Sequence, residues 1–205
     1  MYRRLIHLVK NDRGSKDAMI TEETFSSRST QGSDSGMSGD ASIHTGNWLE
    51  GIRLMKTNFL GIASPVQFEM LWNKVILLYF TASWCSACAK FMDKLKEFSG
   101  QINFDQLEIV MICVDSDEVV ARNYLSKKHR KWAWLEADHE KVKQLMATYD
   151  VICIPVVVLV DRNGKVLRKN IRAQIASSIG KRAKVIVSEW VKQLHSSDSA
   201  TGKND

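Results

Sequence analysis

Apolar and polar positions follow two rhythms along the middle of this chain. Val75-Ile76-Leu77-Leu78-Tyr79-Phe80 is an unbroken β-prone run, the pattern of a strand buried on both faces. Cys88, Phe91, Met92, Leu95 and Phe98 then recur at helical spacing. Leu107 to Val114 predicts a second buried strand, and Ser116 or Asp117 can cap a helix through Val120, Tyr124 and Leu125. A further helix is predicted over Glu140–Tyr149 and a third buried strand over Val156–Val160. Asp161-Arg162-Asn163-Gly164 reads as a turn, because Asn-Gly is a strong hairpin signal, so Lys165–Ile171 becomes a fourth strand antiparallel to the third. Val185–Leu194 closes as a helix. Strands and helices in this order predict an α/β architecture, a central mixed β-sheet flanked by helices.

The ends lack such rhythm. Residues 1–46 read as a disordered, polar, Ser-rich tail, 47–195 as the folded domain, and 196–205 as a disordered carboxyl-terminal tail. The apolar stretch Leu5 to Val9 is five residues broken by His7, shorter than the ~7 a secretory segment needs. Acidic residues at 12, 17, 22 and 23 argue against a transit peptide, so an untargeted tail is expected. No run approaches the roughly 18 apolar residues of a membrane span, so no membrane association is expected.

Of the net charge of +6, none comes from residues 1–46, which hold six basic and six acidic groups. The segment 47–195 holds 22 basic and 15 acidic residues, a net +7. The positive field thus belongs to the expected domain, where it permits an acidic partner without demanding one.

Four cysteines are too few for a disulfide-stapled mini-domain. Two of them carry the chemistry. Cys85 and Cys88 follow the first buried strand and open a helix. A cysteine there meets unpaired backbone N–H groups and the positive end of the helix dipole. Both favour thiolate, lowering the thiol pKa below its free value of ~8.5. Two intervening residues let the sulfurs meet within one turn, giving a dithiol that can close and reopen. Cys85, the outer thiol, is expected to attack a partner disulfide and Cys88 to resolve the mixed disulfide. Half of a zinc site is the competing use of such a pair, but no second Cys-x-x-Cys or His-x-x-x-His accompanies it, so no metal is expected. An unused, reduced pair on a core helix is the other alternative.

Leu78-Tyr79-Phe80-Thr81-Ala82-Ser83-Trp84-Cys85-Ser86-Ala87-Cys88 resembles the active-site segment of the thioredoxin superfamily, and most closely its tryparedoxin/nucleoredoxin branch. Tyr79 stands six positions before Cys85, as a Tyr does in that branch. Tyr149-Asp150-Val151-Ile152-Cys153-Ile154-Pro155 resembles the family's cis-proline loop, and Val158 to Val166 the hairpin after it. Arg172-Ala173, and Lys131-Trp132 with Trp134-Leu135, resemble further elements of the branch. The resemblance covers about Leu49 to Leu194 and implies a thioredoxin-like fold. It departs at Ser86-Ala87, where the family usually has a proline before the second cysteine, and at Ala89, where it usually has Arg or Lys. A missing proline removes stiffening at the helix start.

The resemblance implies a substrate platform of Trp84, Ser86, Ala87, Ile154 and Pro155, with the Ile154–Pro155 bond cis and the Ile154 backbone open to a substrate strand. Tyr79 and Arg172 are auxiliary candidates; Tyr79 would hydrogen-bond a sulfur or a water, or simply pack in the core. Trp84 would offer flat apolar contact to a partner, or cover the strand end. Cys113 reads as core. Cys153 reads as a small packed residue, with oxidation near the site as the alternative. The basic run Lys127 to Trp134 reads as solvated helix ends with Trp132 anchored in the protein rather than as a nucleic-acid surface.

The expected function is thiol–disulfide oxidoreduction on disulfide-containing protein substrates, with electrons from a small thiol or a reductase, no bound cofactor and no nucleic acid. A monomer in the cytoplasm or nucleus is expected, where a catalytic pair is the usual use of cysteine. The alternative is a regulatory, redox-sensing binding module of nucleoredoxin type with little turnover.

Overall fold

The computed structural model describes residues 48–49, 52–71, 73–128, 131–178 and 181–201, all within the compact unit Ile43–Asp205. Strands β1 (Arg53–Thr57), β2 (Ala63–Pro65), β3 (Val75–Thr81), β4 (Leu107–Cys113), β5 (Ala133–Glu136), β6 (Val156–Val160) and β7 (Val166–Arg168) form one sheet in the order β2-β1-β5-β4-β3-β6-β7. β3, β4 and β5 run parallel, while β1, β6 and β7 are antiparallel to their neighbours. The sheet is mixed, as the pattern predicts. β3, β4 and β6 are buried at every position, which explains their apolar runs, broken within β4 only by Glu108.

Helices cover both faces. Val75, Leu77 and Tyr79 point to one side, against Met92, Leu95 and Phe98 of α1 (Ser86–Ser99) and Leu125 of α2 (Glu118–Lys128). Ile175 of α4 (Arg172–Ser177) and Val187, Trp190 and Leu194 of α5 (Lys181–Thr201) complete that layer. Ile76, Leu78 and Phe80 point to the other side, against Val142 and Leu145 of α3 (His139–Thr148) together with Leu49, Leu71 and Tyr149. Each fully buried Leu, Ile or Phe contributes about 1.5–3 kcal/mol, so β3 stabilises both layers at once. The one charged residue of β4, Glu108, is buried but meets Lys56 Nζ at 2.9 Å and Lys74 Nζ at 3.5 Å, and accepts the Ala133 N–H. Those partners offset the desolvation of its carboxylate.

Five elements leave no mark on the hydrophobic pattern: β1, β2, the short 3-10 turn Phe68–Leu71, β5 and α4. β2 is the edge strand and exposed throughout, so Ser64 is tolerated; β1 beside it buries only Leu54, Met55 and Thr57, leaving Arg53 exposed and Lys56 half-buried. β5 corrects the reading of the basic run. Only its first part ends a helix; Trp132 is buried, and Ala133 and Trp134 enter a strand beside β4 and β1. β7 is shorter than expected because Asn170 takes a positive φ of 53° and Ile171 leads into α4. The final helix is longer than expected at both ends, beginning at Lys181 and ending at Thr201. Positions 196–201, read from the sequence as loose, are therefore helical. Once the buried stripe of α5 has nucleated a helix, adding Ser, Asp and Ala residues costs little. The expected amino-terminal tail, and 202–205, lie outside the described residues.

The predicted hairpin joins β6 to β7. Asp161 Oδ1 accepts the N–H groups of Asn163 at 2.8 Å and Lys165 at 2.9 Å, and Gly164 N–H returns to the Asp161 carbonyl. Gly164 has φ +78°, and a Cβ there would come within 2.6 Å of Trp48 Cγ. Backbone conformation and crowding both require glycine.

Candidate active site

The topology brings three chain segments to one edge of the sheet. Cys85 follows the end of β3, Asp115 follows the end of β4, and Ile154–Pro155 precedes β6. β3 and β4 are parallel with Thr81 opposite Cys113, and the Val114 N–H reaches the Thr81 carbonyl beyond the last pair. β6 is antiparallel with Val156 opposite Phe80. Continuing these registers sets Ser83 beside Asp115 and Ile154 beside Ala82. Ligands and chemistry collect at such carboxyl ends of parallel strands.

Cys85 is the N-cap of α1 in extended conformation, and its Sγ accepts the Cys88 N–H at 3.1 Å. The sulfur thereby takes the place a Ser or Asp oxygen fills at an ordinary cap. No acidic residue stands in the first turn to oppose negative charge on it. The Cys85–Cys88 disulfide is closed, with Cα atoms 5.2 Å apart. Cys88 is fully buried, Cys85 is 9% exposed, and Trp84, Ser86 and Ala87 around them are exposed. The outer sulfur is thus the one a partner can reach.

Tyr79 lies beneath this turn. Its hydroxyl donates to the Cys88 carbonyl at 2.9 Å and not to a sulfur, and its ring meets Phe91 edge-on at 5.7 Å. Burial holds its phenol well above the ordinary tyrosine range, with Thr81 and the charge of Arg172 pulling weakly the other way. Arg172 is exposed at the start of α4.

Sequence reasoning missed Asp115. It is 8% exposed and accepts three hydrogen bonds: Ser83 N–H at 2.8 Å, Ser83 hydroxyl at 2.9 Å and Cys113 thiol at 2.7 Å. It pins the turn that carries Trp84 and Cys85. A lone Asp after an apolar strand is the only signal in the sequence, and it reads equally well as a helix cap. That part is taken by Asp117, whose Oδ1 accepts the Val119 and Val120 N–H groups. Cys113 is core, as expected; burial, and then the Asp115 carboxylate, push its thiol far up.

The opposite wall is the loop before β6. α3 ends in a left-handed turn at Asp150 (φ 56°), with Val151 N–H bonded to the Met146 carbonyl and Asp150 N–H to that of Ala147. Val151 and Pro155 then turn inward and Ile152 and Cys153 outward. The Ile154–Pro155 bond is cis. Cys153 is exposed, not packed as the sequence suggested, because the bend at 153–155 reverses the alternation a strand would have kept. Among the described residues no three His, Cys, Asp or Glu side chains cluster as metal ligands, and no helix is long and apolar enough to cross a membrane. Trp132 and Trp134, fully or nearly fully buried, are unable to stack on bases.

A mixed sheet between helix layers, with a capping Cys-x-x-Cys pair beside a cis-proline loop, defines the class of thioredoxin-fold dithiol proteins. Residues 73–166 match the family model described as Thioredoxin-like. The chain belongs to this thioredoxin-like family, whose tryparedoxin and related members are thiol–disulfide oxidoreductases. It is 30% identical over 122 residues to tryparedoxin of Trypanosoma brucei brucei, covering 58% of this chain and 83% of that protein. It is 32% identical over 136 residues to probable nucleoredoxin 1 of Arabidopsis thaliana, covering 63% of this chain but only 22% of that longer protein. The crystal structure of native tryparedoxin I from Crithidia fasciculata superposes with a TM-score of 0.54 at 28% identity, over 63% of this chain and 88% of that one.

Proposed function

We propose that this chain reduces disulfides in protein substrates through the Cys85–Cys88 dithiol. The position of Cys85 carries the reading: a capping sulfur that accepts the Cys88 N–H, at the open edge of the sheet, flanked by exposed Trp84, Ser86 and Ala87. Helix-terminal N–H groups favour its thiolate. In the reduced form, the Cys85 thiolate attacks one sulfur of a substrate disulfide. A Cys85–substrate disulfide forms and the other substrate sulfur leaves as a thiolate. The Cys88 thiolate then attacks Cys85 Sγ, the mixed bond breaks, and the second substrate sulfur leaves. Two electrons pass to the substrate, and the two dithiol protons end on its thiols. A small thiol or a reductase restores the dithiol.

In this reading Trp84, Ser86, Ala87, Ile154 and Pro155 form the platform for the substrate chain. Tyr79 positions the Cys88 turn through its carbonyl, and Arg172 adds positive charge nearby. The protein works as a monomer without a cofactor, in the reducing setting of cytoplasm or nucleus.

One observation favours a second reading. Ser86-Ala87 leaves the helix start without the proline usual between such cysteines, which suits a redox-sensing binding module with slow turnover. Reduction of an insulin-type disulfide by a thiol donor separates the two. Turnover by the wild type, lost in Cys85→Ser, is expected; a wild type no faster than Cys85→Ser overturns the enzyme reading. Cys88→Ser should hold substrates as mixed disulfides on Cys85.

A further inference from the structure

Beside the dithiol, one stripe of α2 forms the wall of a cleft. Val120, Asn123, Tyr124, Lys127 and Lys128 stand at i, i+3, i+4, i+7 and i+8, and with Ser83 they line an open cavity of about 430 Å³. Only Trp84 separates Ser83 from Cys85, so their Cα atoms lie within about 7.6 Å. From there the stripe runs about 12 Å along the helix from Val120 to Lys128.

The two ends of this cleft differ in chemistry. At the end of Ser83 and Val120, Val120 is 42% exposed, and Trp84, next to Ser83 in the chain, is 57% exposed. Bared side chains of this size mark contact surface when they border a site. At the far end Lys127 and Lys128 are exposed, and neither has a carboxylate at ion-pair distance among the described residues. Lys128 Nζ lies 4.9 Å over the Tyr124 ring, and the Tyr124 hydroxyl is hydrogen-bonded to Thr81, so this wall is anchored to β3. The helix carboxyl end favours lysines by its dipole, but that alone does not make a cleft. The acidic residues Asp117 and Glu118 sit at the opposite end of α2, and Arg122 is paired with Glu136. The segment 47–195 as a whole carries a surplus of seven positive charges.

We propose that this cleft is a substrate subsite for an acidic polypeptide segment next to the disulfide being reduced. Its Asp or Glu side chains lie against Lys127 and Lys128, and its apolar side chains against Trp84 and Val120. For an extended segment the acidic residues fall about three to six positions from the attacked cysteine. This deepens the oxidoreductase reading and rests on it.

The test uses the full chain and three probes: a disulfide-linked peptide with glutamates at those positions, the same peptide with lysines, and neutral hydroxyethyl disulfide. The wild type is expected to turn over the acidic peptide about tenfold more efficiently than the basic one, each normalised to the neutral disulfide, with the gap narrowing as salt is added. Lys127→Glu/Lys128→Glu should erase or reverse that preference. Turnover of the neutral disulfide without any peptide preference, or a preference that survives in the double variant, overturns the subsite alone. No turnover of the neutral disulfide overturns the oxidoreductase reading, and the subsite with it. An oligonucleotide that competes more strongly than a glutamate peptide of equal charge would make the cleft a nucleic-acid site and overturn the proposal.

Discussion

The Tyr79 hydroxyl donates to the Cys88 carbonyl oxygen, 2.9 Å away across the base of the dithiol turn. Both groups are buried, so the bond fixes the first turn of α1 to the central strand. Tyr79→Phe keeps the ring and its contact with Phe91 but leaves that carbonyl without its partner from β3. A loss of about 1–2 kcal/mol is expected, read as a lower urea midpoint at unchanged slope in the oxidised protein.

Asp115 holds the preceding turn through two bonds to Ser83 and one from Cys113. Asp115→Ala leaves the buried Cys113 thiol without its acceptor, costing about 1–3 kcal/mol, and the part-buried Ser83 N–H and hydroxyl without theirs at smaller cost, and frees the turn carrying Trp84 and Cys85. Stability should fall by about 2–4 kcal/mol, and kcat/KM on a protein disulfide should fall with it. Asp115→Asn, which keeps one acceptor oxygen, should be intermediate in both measurements.

Two glycines with positive φ separate conformation from crowding. Gly61 has φ +82°, and a Cβ added there would have nothing within 4 Å, whereas one at Gly164 would meet Trp48 and the Tyr149 hydroxyl at 2.6–2.9 Å. Gly61→Ala should cost about 1 kcal/mol, the conformational part alone. Gly164→Ala should cost at least about 2–3 kcal/mol, since overpacking adds about 1–3. Thermal melts of the two variants side by side check the difference.

Cys113 and Cys153 should behave oppositely. Burial, and then Asp115, keep the Cys113 thiol protonated, while Cys153 is exposed. Iodoacetamide on the folded, oxidised protein at about pH 8 should label Cys153 and spare Cys113. Because the folded thiol pKa is raised, its contribution to stability is complete below the unfolded value of ~8.5 and declines as pH rises toward the folded one. The slope is about 1.4 kcal/mol per pH unit for each such group. Tyr79 and Tyr149, raised mainly by burial, add to the decline above about pH 10. Cys113→Ala should flatten the part of the urea-stability profile between about pH 8.5 and 10.

The central strands, α1 and the Cys85–Cys88 pair were legible in the residues themselves. A strand buried on both faces is apolar unless its polar groups find partners, and Val75–Phe80 is apolar throughout; the cysteine pair follows it at a spacing that opens a helix. Short elements carry no such signal: the edge strand β2 is three residues exposed throughout, and β5, between β1 and β4, is four residues behind a basic run. The placing of β5 depends on neighbours distant in the chain, Arg53 opposite Glu136 and Val110 opposite Ala133. The same holds for the site. Local sequence determined which sulfur caps the helix, because a cap is defined by adjacent residues. Only the tertiary structure decided that Asp115 would hold Ser83, that Tyr79 would bond to a carbonyl and not a sulfur, and that Cys153 would face solvent. Those outcomes depend on how separate strands register at one sheet edge and on where a loop bends, and neither is written in any local pattern.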